Sequence, residues 1–176
     1  MLKKIALLLT LSVSGLAVSS VSNAAPKTKF GVTVTECNFD YEDEKFCTDS
    51  RLKSYAKAMK DRKANFDGNK IIYIFQTNAT GYVGKRPDRL VVIDPAKKTV
   101  SPFGYALSDA TDGSKNVAVN KKGDTMHYDF NKSSNRFCFS GNIDAYKMSE
   151  SYDGTPFCFR YDNREKQLMR ILENFR

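Results

Sequence analysis

The chain has one histidine, His127, and its four cysteines, Cys37, Cys47, Cys138 and Cys158, contain no C-x-x-C pair. Zinc sites are built from closely spaced Cys and His ligands, so both shortages argue against one. Also missing are the D-x-D-x-D-G order of a calcium loop and the G-x-S-x-G elbow of a serine hydrolase. Gly81, Gly84 and Gly104 form no phosphate-cradling loop. No internal repeat or low-complexity tract occurs beyond the N-terminal region, and no second apolar run approaches membrane-spanning length. These absences predict a chain with no cofactor, no metal and no transmembrane segment in its mature form.

What the N-terminus does contain is an export pattern. Lys3 and Lys4 precede a run from Ile5 to Val18 that is apolar apart from small polar residues. Ser22-Asn23-Ala24 then places small residues at the −3 and −1 positions of a cleavage site. Residues 1–24 read as a cleavable signal peptide, which predicts a periplasmic or secreted protein. With no cysteine before Cys37, a lipidated mature terminus is not expected. Cleavage leaves residues 25–176 as a single domain and, by removing Lys3 and Lys4, lowers the formal charge from +8 to +6.

In an exported chain, an even number of cysteines reads as a disulfide framework. Three connectivities are open. Loop entropy favours the local pairs Cys37–Cys47 and Cys138–Cys158, because short loops close most easily. One geometric tension stands against the second pair. Phe137-Cys138-Phe139 and Phe157-Cys158-Phe159 look like strand centres with another strand candidate between them. In a simple meander the outer strands would lie roughly 9.5 Å apart, whereas a disulfide needs Cα atoms within about 7 Å. Local pairing therefore requires the last strand to swing beside the first, or the middle segment to be a loop.

Element by element, Pro26–Thr35 alternates, with Phe30, Val32 and Val34 on one side, and reads as a first strand. Ser50–Asn65 reads as a helix, capped by Asp49 or Ser50, with Leu52, Tyr55, Ala56 and Met59 as its apolar stripe. KIIYIFQ at 70–76 and RLVVID at 89–94 are continuous apolar runs suited to central strands. Further strands are expected at 99–103, 117–120, 125–130, 136–140, 143–148 and 156–161. Turns are expected at Asp67-Gly68, Pro95–Lys98, Lys121–Asp124, Gly141-Asn142 and Asp153-Gly154. In the 125–130 segment, Met126, Tyr128 and Phe130 should face inward, with His127 and Asp129 outward. Leu168, Ile171, Leu172 and Phe175 share one helical face, which predicts a C-terminal helix over 164–175. The expected fold is α+β: an antiparallel, twisted or barrel-like sheet of about seven or eight strands, bracketed by an N-terminal-side helix and a C-terminal helix.

Two charged features stand out as candidate binding sites. Lys53, Lys57 and Lys60 share one helix face, and Glu42, Asp43 and Glu44 lie in an acidic loop between Cys37 and Cys47. Lysines on a helix are more often a solvated face than a polyanion site. Ser50-Arg51-Leu52-Lys53 matches S-x-x-K, which places a lysine one helical turn from a serine nucleophile. No S-D-N or K-T-G follows, and Ser50 serves better as a helix cap. His127 beside Asp129 has no recognisable nucleophile partner. The twelve Phe and nine Tyr fall at core-like alternating positions, so nucleic-acid binding is not expected.

With no catalytic signature, a binding protein is a better expectation than an enzyme. In leader, size, β content and cysteines the chain resembles, in general design, periplasmic lysozyme inhibitors and secretion-system immunity proteins, although no motif matches a family. That resemblance implies a protein partner in the cell envelope and an inhibitor or immunity role against an envelope-targeting enzyme, with a loop or sheet edge occluding a cleft. The alternatives are a binder of anionic envelope polymers through the lysine face and a small hydrolase with an unrecognised site.

Overall fold

The computed structural model describes residues 25–39, 44–77, 87–109, 126–143 and 156–171. The proposed leader, Glu42 and Asp43 lie outside the described residues, as do the strand expected at 117–120 and the turns at Lys121–Asp124 and Asp153-Gly154.

Among the described residues, eleven short strands and one helix form three layers. The large sheet contains β1 (Lys27–Lys29), β2 (Val32–Val34), β3 (Ile71–Gln76), β4 (Asp88–Asp94), β5 (Thr99–Pro102), β6 (Leu107–Ser108) and β9 (Asn142–Ile143). The small sheet contains β7 (His127–Phe130), β8 (Arg136–Ser140), β10 (Phe157–Asp162) and β11 (Gln167–Arg170), in the order β11-β10-β8-β7. The sheets do not close into a barrel. Among the described residues every strand pair is antiparallel except β2 with β5, and α1 (Asp49–Asp61) lies on the path between those two.

Each layer boundary is a separate core. On one face of the large sheet, Leu52, Tyr55 and Ala58 of α1 pack against Val32, Val34, Ile71, Val91, Ile93 and Val100. On the other face, Ile72, Leu90, Val92 and Leu107 meet Phe137, Phe139, Phe159 and Tyr161 of the small sheet. β4 is therefore buried on both sides, which is why its sequence is a continuous apolar run with no alternation. β7 alternates as expected, with His127 and Asp129 exposed between half-buried Met126, Tyr128 and Phe130.

The helix begins one residue earlier than its sequence suggests. Thr48, not Asp49 or Ser50, is the N-cap, its Oγ1 accepting from the Arg51 N–H. The helix ends at Asp61 rather than Asn65, because Arg62 turns to extended backbone while its N–H still donates to Ala58 O. Asp67-Gly68 forms the expected turn, both residues at positive φ.

Three expectations need correction. The strand read over 26–35 is two strands joined at Phe30-Gly31, with Lys29 opposite Val32. The residues expected to start a C-terminal helix form β11 instead, paired along β10. A tight turn decides this: Asp162 Oδ1 accepts from the N–H groups of Arg164 and Glu165, and Lys166 adopts φ +55°. The chain then reverses onto the open edge of β10, and an edge strand satisfies backbone groups that a helix there would leave on that edge. Residues 172–176, including Leu172 and Phe175, lie outside the described residues. Gly141-Asn142 is not a hairpin turn. Gly141, at φ +147°, is where the chain leaves the small sheet, and Asn142 starts β9 in the large one. A Cβ at Gly141 would lie 2.5 Å from Phe139 Cζ and 2.6 Å from the Ser108 carbonyl oxygen.

That change of sheet resolves the cysteine tension. The segment after β8 leaves the small sheet, so β10 lies directly beside β8 with Cys158 opposite Cys138. Their disulfide spans a Cα separation of 4.1 Å. The Cys158 carbonyl accepts from Ile171 N–H on the far side, so toward β8 it belongs to a non-hydrogen-bonded pair, the closer kind. Cys37 and Cys47 form the second disulfide.

Candidate interaction site

The most unusual residue on the described surface is Phe30. It occupies the first position of the two-residue β1–β2 loop at φ +55°, with Gly31 at φ +77° behind it. Two-residue hairpin loops with both φ values positive favour Asn-Gly, because a bulky side chain is strained in that region. Here a phenylalanine holds the position and is 41% exposed. The hairpin below it is anchored: Val32 and Val34 are buried under α1, and Thr28 and Thr33 share a 2.9 Å hydroxyl contact across the strands.

Cations frame the ring. Lys29 Nζ lies 5.0 Å and Lys53 Nζ 5.3 Å from its centroid, within cation–π range. Lys29 also makes an ion pair with Asp49 at 2.6 Å, and Lys27 donates to the Cys47 carbonyl at 2.9 Å. The hydrogen bond from Lys29, reinforced by the charges of Lys29, Lys27 and Lys53, holds the Asp49 carboxyl below the ordinary carboxylate range. Three ammonium groups therefore act on one carboxylate at the base of an exposed phenyl ring.

The three lysines singled out from sequence do not act as one group. All are exposed on α1, but only Lys53 reaches the hairpin tip. Lys57 pairs with Asp61 one turn on, which raises the lysine and lowers the carboxyl. Lys60 is exposed in the last turn. Glu44 sits inside the fold, accepting from Arg51 Nε at 3.0 Å, with only 11% of its side chain exposed. Arg51 in turn lies 4.0 Å from the Phe75 ring and donates to the Gln76 carbonyl. Ser50 is in the first turn of α1, where its carbonyl accepts from Ser54 Oγ. His127 is exposed opposite Ser140. Lys27, Lys29 and Phe30 were missed by sequence reasoning. Phe-Gly between two short alternating segments was the available signal.

One outer sheet edge is partly occupied. On β3, Asn65 Oδ1 accepts from the Ile72 N–H and its Nδ2 donates to the Ile72 carbonyl, while Arg51 takes the Gln76 carbonyl. Side chains thus fill positions where another strand would dock. Among the described residues no group of three potential metal ligands occurs, and no helix is long and apolar enough to cross a membrane. The shifted phenols are structural: burial raises Tyr55, Tyr128 and Tyr161. No protein-family model, curated protein or solved structure matches this chain.

Proposed function

We propose that this is an exported binding protein that blocks an enzyme acting on the cell envelope, as an inhibitor or immunity protein, with the β1–β2 tip as its recognition element. Phe30 carries this reading. A hairpin selected for stability alone would favour Asn at that position, so a strained, exposed phenylalanine on a rigid support is better explained by contact with a partner. Exposed aromatic side chains ringed by polar ones are the usual anchors of protein interfaces. The partly blocked β3 edge removes one of the sheet edges that could serve as the occluding element instead.

The reading as a binder of anionic polymers through Lys53, Lys57 and Lys60 is weaker, because Lys57 is engaged with Asp61 and Lys53 faces Phe30. A salt series separates the two, since polyanion binding falls steeply with salt while a packed interface does not.

The test measures peptidoglycan solubilisation by an envelope hydrolase fraction, with and without the purified mature protein. Wild type is expected to lower the activity, and Phe30→Asn, which suits the turn, is expected to fold but not inhibit. Equal inhibition by the two proteins, or none by wild type, would remove the proposal.

A further inference from the structure

The composition of the tip specifies its partner more narrowly. Among the described residues only Phe30 and Met169 are exposed large hydrophobics, and they stand on different sheets. The apolar part of the tip is therefore one ring, and its border is Lys29 and Lys53, with Lys27 on the same hairpin. A bilayer is a poor match for one ring. Even a whole myristoyl chain holds a protein to a membrane only marginally, and one phenyl buries less apolar surface. A single aromatic anchor with a charged border suits a pocket instead. The N-terminus of α1 adds partial positive charge beside Asp49.

Asp49 is the informative residue. It already holds Lys29 at 2.6 Å, with 54% of its own side chain exposed. A carboxylate arriving from outside meets the same ammonium, must share its three N–H donors with Asp49 and is repelled by the Asp49 charge. Asp49 thus competes internally with an acidic partner, and removing its charge should favour that partner. Neutralising a residue that merely holds the hairpin in place would not strengthen binding.

We infer that the tip seats in a carboxylate-rimmed apolar pocket of a protein, with Phe30 entering the pocket and Lys29 and Lys53 pairing with acidic side chains at its rim. This rests on the binding role proposed above and adds the chemistry of the surface it recognises. A cleft with paired carboxylates, as in glycan hydrolysis, would supply the acidic side chains of such a rim.

The probe is a random-peptide display library panned on the mature protein. Enriched peptides are expected to place Asp or Glu around one apolar residue. The best peptide should bind Phe30→Asn about tenfold more weakly, as for loss of an anchor residue. K29Q/K53Q should bind it more weakly with a flatter salt dependence. D49N should bind it several-fold more tightly, as roughly expected for removing a competing charge, and K57Q/K60Q should bind as wild type does. Circular dichroism confirms folding of each variant, and Phe30→Leu, which keeps an apolar anchor, should retain part of the affinity. Binding lost in Phe30→Asn but unmoved in K29Q/K53Q and D49N overturns the acidic pocket and leaves the binding role standing. Binding unmoved by Phe30→Asn overturns both. A library yielding no binder, or one enriched without acidic residues, overturns the inference. So does Phe30-dependent binding to vesicles of phosphatidylglycerol and phosphatidylethanolamine, which would make the tip a membrane contact.

Discussion

Tyr128 donates a 2.6 Å hydrogen bond to Asp88 and so ties the edge strand of the small sheet to the central strand of the large one. A second link, Ser101 with Tyr161 at 3.1 Å, joins the same two sheets through β5 and β10. Between the two links lies an aromatic layer in which Phe103 meets Phe159 edge-on at 4.9 Å. Apolar packing brings the sheets together, and these directional bonds select one alignment of one sheet over the other.

The hydroxyls of Tyr128 and Tyr55 should respond in opposite ways to deletion. Tyr128→Phe removes the donor from Asp88 and leaves a part-buried carboxylate without it, at a cost of about 1–3 kcal/mol. The Tyr55 hydroxyl is buried and has no hydrogen-bond partner among the described residues, so Tyr55→Phe should be neutral or stabilising by about 1 kcal/mol. Urea denaturation of both variants checks this. Equal destabilisation would mean that the Tyr55 hydroxyl is satisfied.

Non-reducing peptide mapping should recover Cys37–Cys47 and Cys138–Cys158 and no free thiol. Replacing either pair with alanine should cost about 2–5 kcal/mol. A Cys37–Cys158 crosslink would contradict the placement of β10 beside β8.

Stability should fall at both ends of the pH scale, for opposite reasons. Burial raises the Tyr55, Tyr128 and Tyr161 phenols, so each stays neutral in the fold while the unfolded chain ionises at about pH 10. Their contribution is complete below about pH 10 and is lost as pH rises through the higher folded values. The Asp49 and Asp162 carboxyls are lowered, chiefly by hydrogen bonds from Lys29 and from the Glu165 and Arg164 backbone. Their contribution is present above about pH 4 and is lost as pH falls through the lower folded values. Phenolate absorbance should therefore rise in two stages on alkaline titration, the second coinciding with loss of near-ultraviolet circular dichroism. A single stage completed in folded protein would contradict the burial of these tyrosines.

Much of this architecture is legible one segment at a time. The double-sided burial of β4, the alternation of β7 and the Leu52 and Tyr55 part of the α1 stripe follow from periodicity and composition, which are properties of short stretches of chain. The third buried position of α1 is Ala58, with Ala56 and Met59 only partly buried, and loop length favoured the local cysteine pairs without deciding them. The charged candidates were legible only as charges. Whether Lys53 belongs with Lys57 or with Phe30 depends on where the β1–β2 hairpin lies against α1, and helical spacing contains no such information. The same limit explains the two misread segments. Phe30, Val32 and Val34 alternate equally well in one strand or across a turn, and Leu168 with Ile171 fits a helix as well as it fits an edge strand. The choice between those states rests on backbone groups elsewhere in the chain. An open β10 edge waits just past the Asp162 turn, and buried Val32 and Val34 hold the hairpin that turns Phe30 outward. Periodicity determined which segments could bury a face; only the tertiary structure, through its pairing of distant backbone groups, decided which face each one buried.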